Sequence, residues 1–168
     1  MINLFFNRIW VAAGLFLLQI LVFNHVQIWG YATPFPYIFV LLITPLNVQR
    51  WLVVLFGFLA GLTADIFTET LGMQAAAGTL LGFLQPSLLK YYKPASADEE
   101  ILIPSSKTLG WSAFLRYAFT GTLLFCSVFF TLECLDFAFW QPLLINIGGS
   151  TALTTLAIVF FEVMHRKS

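Results

Sequence analysis

The chain has 168 residues, 60% of them hydrophobic and 10% charged, with a mean hydropathy of +0.88. So little charge over this length excludes an ordinary soluble domain and points to an integral membrane protein. A formal net charge of zero excludes a bulk electrostatic attraction to nucleic acid.

One polytopic domain is expected. The first apolar run, Ile9 to Phe23, follows Arg8 and leads into the mixed segment Asn24–Tyr31. No A-x-A-like cleavage site follows it, so it is expected to stay as an anchor spanning about residues 9–28. The second run is short. It extends over residues 34–48 at most, which is marginal for a span and also compatible with a re-entrant segment. Two further runs, residues 51–67 and 72–90, enclose a short polar turn. The longest polar stretch follows, Lys93 to Gly110, with the acidic run Asp98, Glu99 and Glu100. The last two runs cover residues 111–132 and 143–163, and the loop between them carries Glu133, Asp136 and Pro142.

The charges set an orientation. If six segments span, all eight Lys and Arg residues fall in alternate connections: Arg8, Arg50, the group Lys90, Lys93, Lys107 and Arg116, and the pair Arg166 and Lys167. The other three connections have none. The positive-inside rule then places both termini and the Lys93–Gly110 loop in the cytoplasm, and it favours a second run that crosses. Trp10, Trp29, Trp51, Trp111 and Trp140 lie at or near run ends, as an aromatic belt requires.

The stretch Arg50–Tyr92 reads as a transmembrane hairpin. Gly57 and Gly61 lie one helical turn apart, and Ala64 extends their face towards Asp65. In the second arm Gly78, Gly82 and Pro86 recur every four residues. Small residues at this spacing let helix backbones approach closely in lipid. Pro86 clashes with the carbonyl of residue 82 in a regular helix, and Gly82 gives room for a kink. Asp65 lies 15 residues beyond Arg50, about 22 Å along a helix, and so near the outer interface. A carboxylate there is either a solvated helix end or one held by a specific partner. Backbone N–H groups at the next helix start, near Gly72, are one candidate; a basic group on another protein is the second.

Residues with catalytic chemistry are sparse. His25 and His165 are expected on opposite sides of the membrane and cannot share a site. No Ser-His-Asp or Cys-His set, phosphate-binding glycine loop or metal-spaced His/Cys cluster is present, so no enzymatic activity, cofactor or metal is expected. Cys126 and Cys134 sit about 12 Å apart on one helix, beyond disulfide reach. Two polar features remain. The last run carries Asn146, Ser150 and Thr154 on one face, beside Gly148 and Gly149; such a stripe lines a ligand pocket or, more often, hydrogen-bonds between helices. Asp65, Glu69, Glu133 and Asp136 form an acidic group on the expected outer side. Glu162 precedes Arg166 by one turn, a favourable helix pair.

The hairpin resembles the bacterial rod shape-determining protein MreD family. The residues that carry the resemblance are Gly57, Gly61 and Asp65 in GFLAGLTAD and Gly72 in TLGMQAAAG, with the short second run ending at Pro45 before a basic residue. It is clearest over residues 34–92. The 19 phenylalanines and the Lys93–Gly110 loop depart from the pattern. The resemblance implies an all-α inner-membrane protein of six transmembrane helices, similar in fold to the substrate-binding subunits of energy-coupling-factor transporters. It implies a non-enzymatic part in cell-wall elongation and cell shape, with MreC as direct partner and with RodA, a penicillin-binding transpeptidase and MreB in the wider complex. Gly57, Gly61, Asp65, Gly72, Gly78 and Gly82 are the interaction and structural residues expected on this reading. The alternative is a small-molecule-binding subunit of a vitamin-type transporter, which needs an outward pocket.

Overall fold

The computed structural model describes residues 33–94, 103–134 and 140–167. The expected first span, His25, the acidic run at 98–100 and Asp136 lie outside them. The regular structure of the described residues is helical throughout: α1 (Ile38–Leu42), α2 (Arg50–Thr68), α3 (Met73–Tyr92), α4 (Trp111–Glu133) and α5 (Trp140–Lys167). Three helical stretches are long and apolar enough to cross a membrane: α2, α4 and Leu143–Met164 of α5. The 20 residues of α3 are comparable in length but less apolar, since Gln74, Gln85 and Lys90 interrupt them. The protein is thus an all-α, multi-pass membrane bundle.

The main packing follows chain order: α2 on α3, α3 on α4 and α4 on α5, with α1 against α2, α3 and α4. The buried residues of α2 are Val53, Gly57, Gly61, Ala64 and Asp65, a single stripe at helical spacing. Its other faces carry exposed Leu55, Phe58, Leu59, Leu62 and Ile66. That surface suits lipid, where apolar side chains lose nothing by facing outwards.

Of residues 34–48, only the five of α1 form an α-helix, about 7.5 Å long. Prolines explain the shortness. Pro34 and Pro36 hold the entering chain extended or turned, and Pro45 stops continuation beyond Thr44. What this segment lacks in helix it makes up in burial. Phe35, Ile38 and Leu42 are each at most 2% exposed. The Phe35 ring lies 5.4 Å from that of Phe125 and 5.1 Å from that of Phe129, and Phe39 stacks on Phe161 of α5. The broken segment therefore sits inside the bundle, which is where non-helical backbone is tolerated at membrane depth.

The hairpin α2–α3 closes on glycine. A Cβ added to Gly57 would fall on the carbonyl oxygen of Gly78, and one added to Gly61 on that of Gln74. From the other side, a Cβ on Gly78 would lie 2.5 Å from the Gly57 oxygen, and one on Gly82 2.7 Å from the Val53 oxygen. Backbone therefore meets backbone along three successive contacts, Val53 with Gly82, Gly57 with Gly78 and Gly61 with Gln74. Helix α3 runs through Pro86 without interruption, and Pro86 itself is buried. At the other end of the hairpin, the Arg50 guanidinium lies over the Phe83 ring, 5.6 Å from its centroid.

This crossing admits no methyl group. Gly57→Ala and Gly61→Ala should each lower the melting temperature in detergent, by the equivalent of about 1–3 kcal/mol of overpacking. Gly148 of α5 has open space where its Cβ would be. Gly148→Ala should leave the melting temperature unchanged or raise it, since alanine favours helix.

Candidate functional site

The turn between α2 and α3 is built around Asp65. Helix α2 ends at Glu69, the one non-glycine residue at positive φ among those described, in the left-handed conformation. Helix α3 begins after Gly72, also left-handed (φ 79°), where only glycine is free of strain. A glycine N-cap offers no side chain to the free N–H groups of the first turn. Asp65 takes that role from the preceding helix. One carboxylate oxygen accepts the Gln74 N–H at 3.0 Å and the other the Ala75 N–H at 2.9 Å. The Thr70 hydroxyl donates to Asp65 as well. The carboxylate is 4% exposed, so it is a buried cap at the positive end of α3. The hairpin's own backbone, one of the two partners considered for Asp65, holds the carboxylate.

The cap continues into a polar cluster. Gln74 donates to the Thr68 hydroxyl at 2.8 Å, and its Oε1 accepts from the Tyr37 hydroxyl at 3.1 Å. Tyr37 belongs to the broken segment, so this contact ties the segment to the hairpin turn. Gln74 is 1% exposed, and every polar atom of its side chain has a partner.

Other side chains satisfy the broken segment's backbone. The Thr33 N–H donates to Ser150 Oγ and the Phe35 N–H to Thr154 Oγ1, both at 3.0 Å. Tyr117 Oη donates to the Leu42 carbonyl at 2.8 Å. Gln85 Nε2 donates to the Thr44 carbonyl at 2.9 Å and to Tyr117 Oη at 3.1 Å. Gln85 Oε1 is buried with no partner among the described residues. The α5 stripe thus uses two of its hydroxyls on backbone. A cavity of about 30 Å³ lies nearby, lined by Tyr37, Leu41, Gly57 and Phe125 among others. It has room for about one water molecule and is almost wholly apolar.

Glu162 of α5 has a partner that its spacing does not suggest. Its carboxylate accepts the Ser106 N–H at 2.7 Å and is 5% exposed, which holds the 103–110 loop against α5. Cys126 and Cys134 are both free. Among the described residues no three His, Cys, Asp or Glu side chains cluster as metal ligands.

The structure brings Asp65, Gly72 and Gln74 together at the turn and places Gly57, Gly61, Gly78 and Gly82 along the crossing. Glu133, at the end of α4, is exposed. Sequence reasoning passed over Tyr37, Gln74, Gln85 and Tyr117. The available signal was two glutamines in one membrane helix, since an amide in lipid is costly unless bonded. No family model, curated protein or solved structure matches the chain.

Removing the Asp65 cap should destabilise the fold by about 1–3 kcal/mol. Asp65→Asn keeps one acceptor but turns an amide N–H towards the second donor; it should lower the melting temperature in detergent less than Asp65→Ala. Thr154→Val keeps the shape and orphans the Phe35 N–H, at a cost of about 1–3 kcal/mol. Thr154→Ser keeps the acceptor and should melt close to wild type.

Proposed function

We propose that this protein is a non-enzymatic membrane component of the bacterial cell-wall elongation complex, binding MreC at the inner membrane with both its termini in the cytoplasm. The observation that carries the reading is the α2–α3 hairpin. Gly57, Gly61, Asp65 and Gly72, the residues of the MreD resemblance, build one stiff element: glycine contacts set the crossing and the carboxylate closes the turn. A hairpin locked to itself in this way offers a fixed surface to a partner. The polar groups within the bundle also suit a structural part. The Ser150 and Thr154 hydroxyls, Tyr117 and the Gln85 amide nitrogen bond to the chain's own backbone. The vitamin-transporter alternative asks for a ligand-sized pocket open to the outer side, which a stoichiometric bound small molecule would reveal.

The test is recovery of the partner. A tagged full-length chain, solubilised from its native membrane in mild detergent, should bring MreC with it in near-stoichiometric amount. The same preparation, denatured and examined by mass spectrometry, should release no stoichiometric small molecule. Recovery of a vitamin-like compound, without MreC, would overturn the reading in favour of a transporter subunit.

A further inference from the structure

A second cavity lies at the basic end of the bundle. It is an open cleft of about 530 Å³ between the end of α3 and the start of α4. Tyr91, Tyr92, Gly110, Trp111, Ser112 and Arg116 line it, among others. We propose that this cleft binds the phosphate headgroup of an anionic phospholipid of the cytoplasmic leaflet.

Three observations converge on that ligand. The first is charge. Arg116 lines the cleft and is exposed. Helix α4 starts beside it with no side-chain cap, so first-turn N–H groups stand at the cleft wall. A guanidinium and free N–H donors together suit phosphate oxygens. The second is position. Tyr91 is 81% exposed and Trp111 41%, both at the ends of long apolar helices. Aromatic rings with polar tips belong at the headgroup level, and on the orientation proposed above, on which this inference rests, Lys90, Lys107 and Arg116 mark the cytoplasmic side, where anionic lipids concentrate. The third is rigidity. Leu109 is 5% exposed, and the buried Glu162 carboxylate holds the Ser106 N–H, so the loop that forms one wall is pinned at two points. The Tyr92 hydroxyl shares a hydrogen bond with that of Thr120 at 3.0 Å, which fixes the opposite wall to α4. The cleft is thus shaped before any ligand arrives. A choline headgroup would bring its own cation to Arg116; a glycerol headgroup brings none.

The test uses the full-length protein in detergent, titrated with phosphatidylglycerol or phosphatidylcholine and read by native mass spectrometry. Wild type should retain phosphatidylglycerol about fivefold better, the effect of one well-placed cation near the membrane surface. Arg116→Gln should reduce the two lipids to equal retention. Arg50→Gln removes a charge on the same side but outside the cleft, and should keep the preference. Equal retention by wild type would overturn the proposal. So would a preference that survives Arg116→Gln, or one that Arg50→Gln abolishes equally, which would indicate bulk charge alone. Inorganic phosphate binding to the wild type without any lipid preference would likewise overturn the lipid assignment. None of these outcomes depends on MreC binding.

Discussion

Unpaired backbone in an apolar bundle is the constraint on which this structure turns. Residues 33–49 contribute only five helical residues, and turn bonds such as Ile38 N–H to the Phe35 carbonyl and Thr44 N–H to the Leu41 carbonyl satisfy part of their backbone. The Thr33 and Phe35 N–H groups and the Leu42 and Thr44 carbonyls are bonded by side chains of other helices. Lipid offers no such partners, and each group left bare costs about 1–3 kcal/mol or more. The fold answers from three directions: hydroxyls of Ser150 and Thr154 on α5, Tyr117 on α4, and Gln85 on α3. These bonds fix both the depth of the segment and its register against each helix. They also fill the bundle's centre with bonded polar atoms, where hydrophobic contact alone would not discriminate one sliding position from the next.

The hairpin α2–α3 solves the opposite problem. Its backbone is satisfied by helix, and what it needs is adhesion without a hydrophobic force. Glycine supplies that by letting carbonyls and Cα atoms of the two helices touch directly. Close approach would leave the turn free to fray if nothing capped α3, and Gly72 cannot. Asp65 does so from one helix earlier, and Gln74 passes the connection on to Tyr37. The two halves of the architecture, locked hairpin and bonded broken segment, therefore share a polar joint at the turn. Binding to MreC, as proposed, would use the outer surfaces of this joined unit and leave its interior intact.

Much of this was legible in the chain itself, for reasons of spacing. Gly57 and Gly61 at one-turn separation, mirrored by Gly78 and Gly82, mark a close crossing because small residues at that spacing let two backbones touch. Asp65 ahead of a glycine-started helix marks a carboxylate that needs a partner and narrows the candidates to two, the N–H groups at the start of the next helix or a basic group on another protein. Apolar length and composition determine a helical membrane protein, and they mark residues 34–48 as short for a span, marginal or re-entrant, without placing the break that its prolines make. These are local properties, and local physics reads them.

Long-range pairing needed the tertiary structure. Ser150 and Thr154 lie 117 and 119 residues from the backbone groups they satisfy, and nothing in their spacing names Thr33 or Phe35. Nothing in the position of Glu162 names Ser106, 56 residues away, whose N–H its carboxylate accepts. A hydroxyl or carboxylate in a membrane helix declares by its cost that it must be bonded. It does not declare to what, because several donors compete and the packing of whole helices decides which one comes within 3 Å. The sequence by itself determined the long helices and the glycine crossing. Only the folded bundle decided where the broken segment lies and which polar groups hold it there.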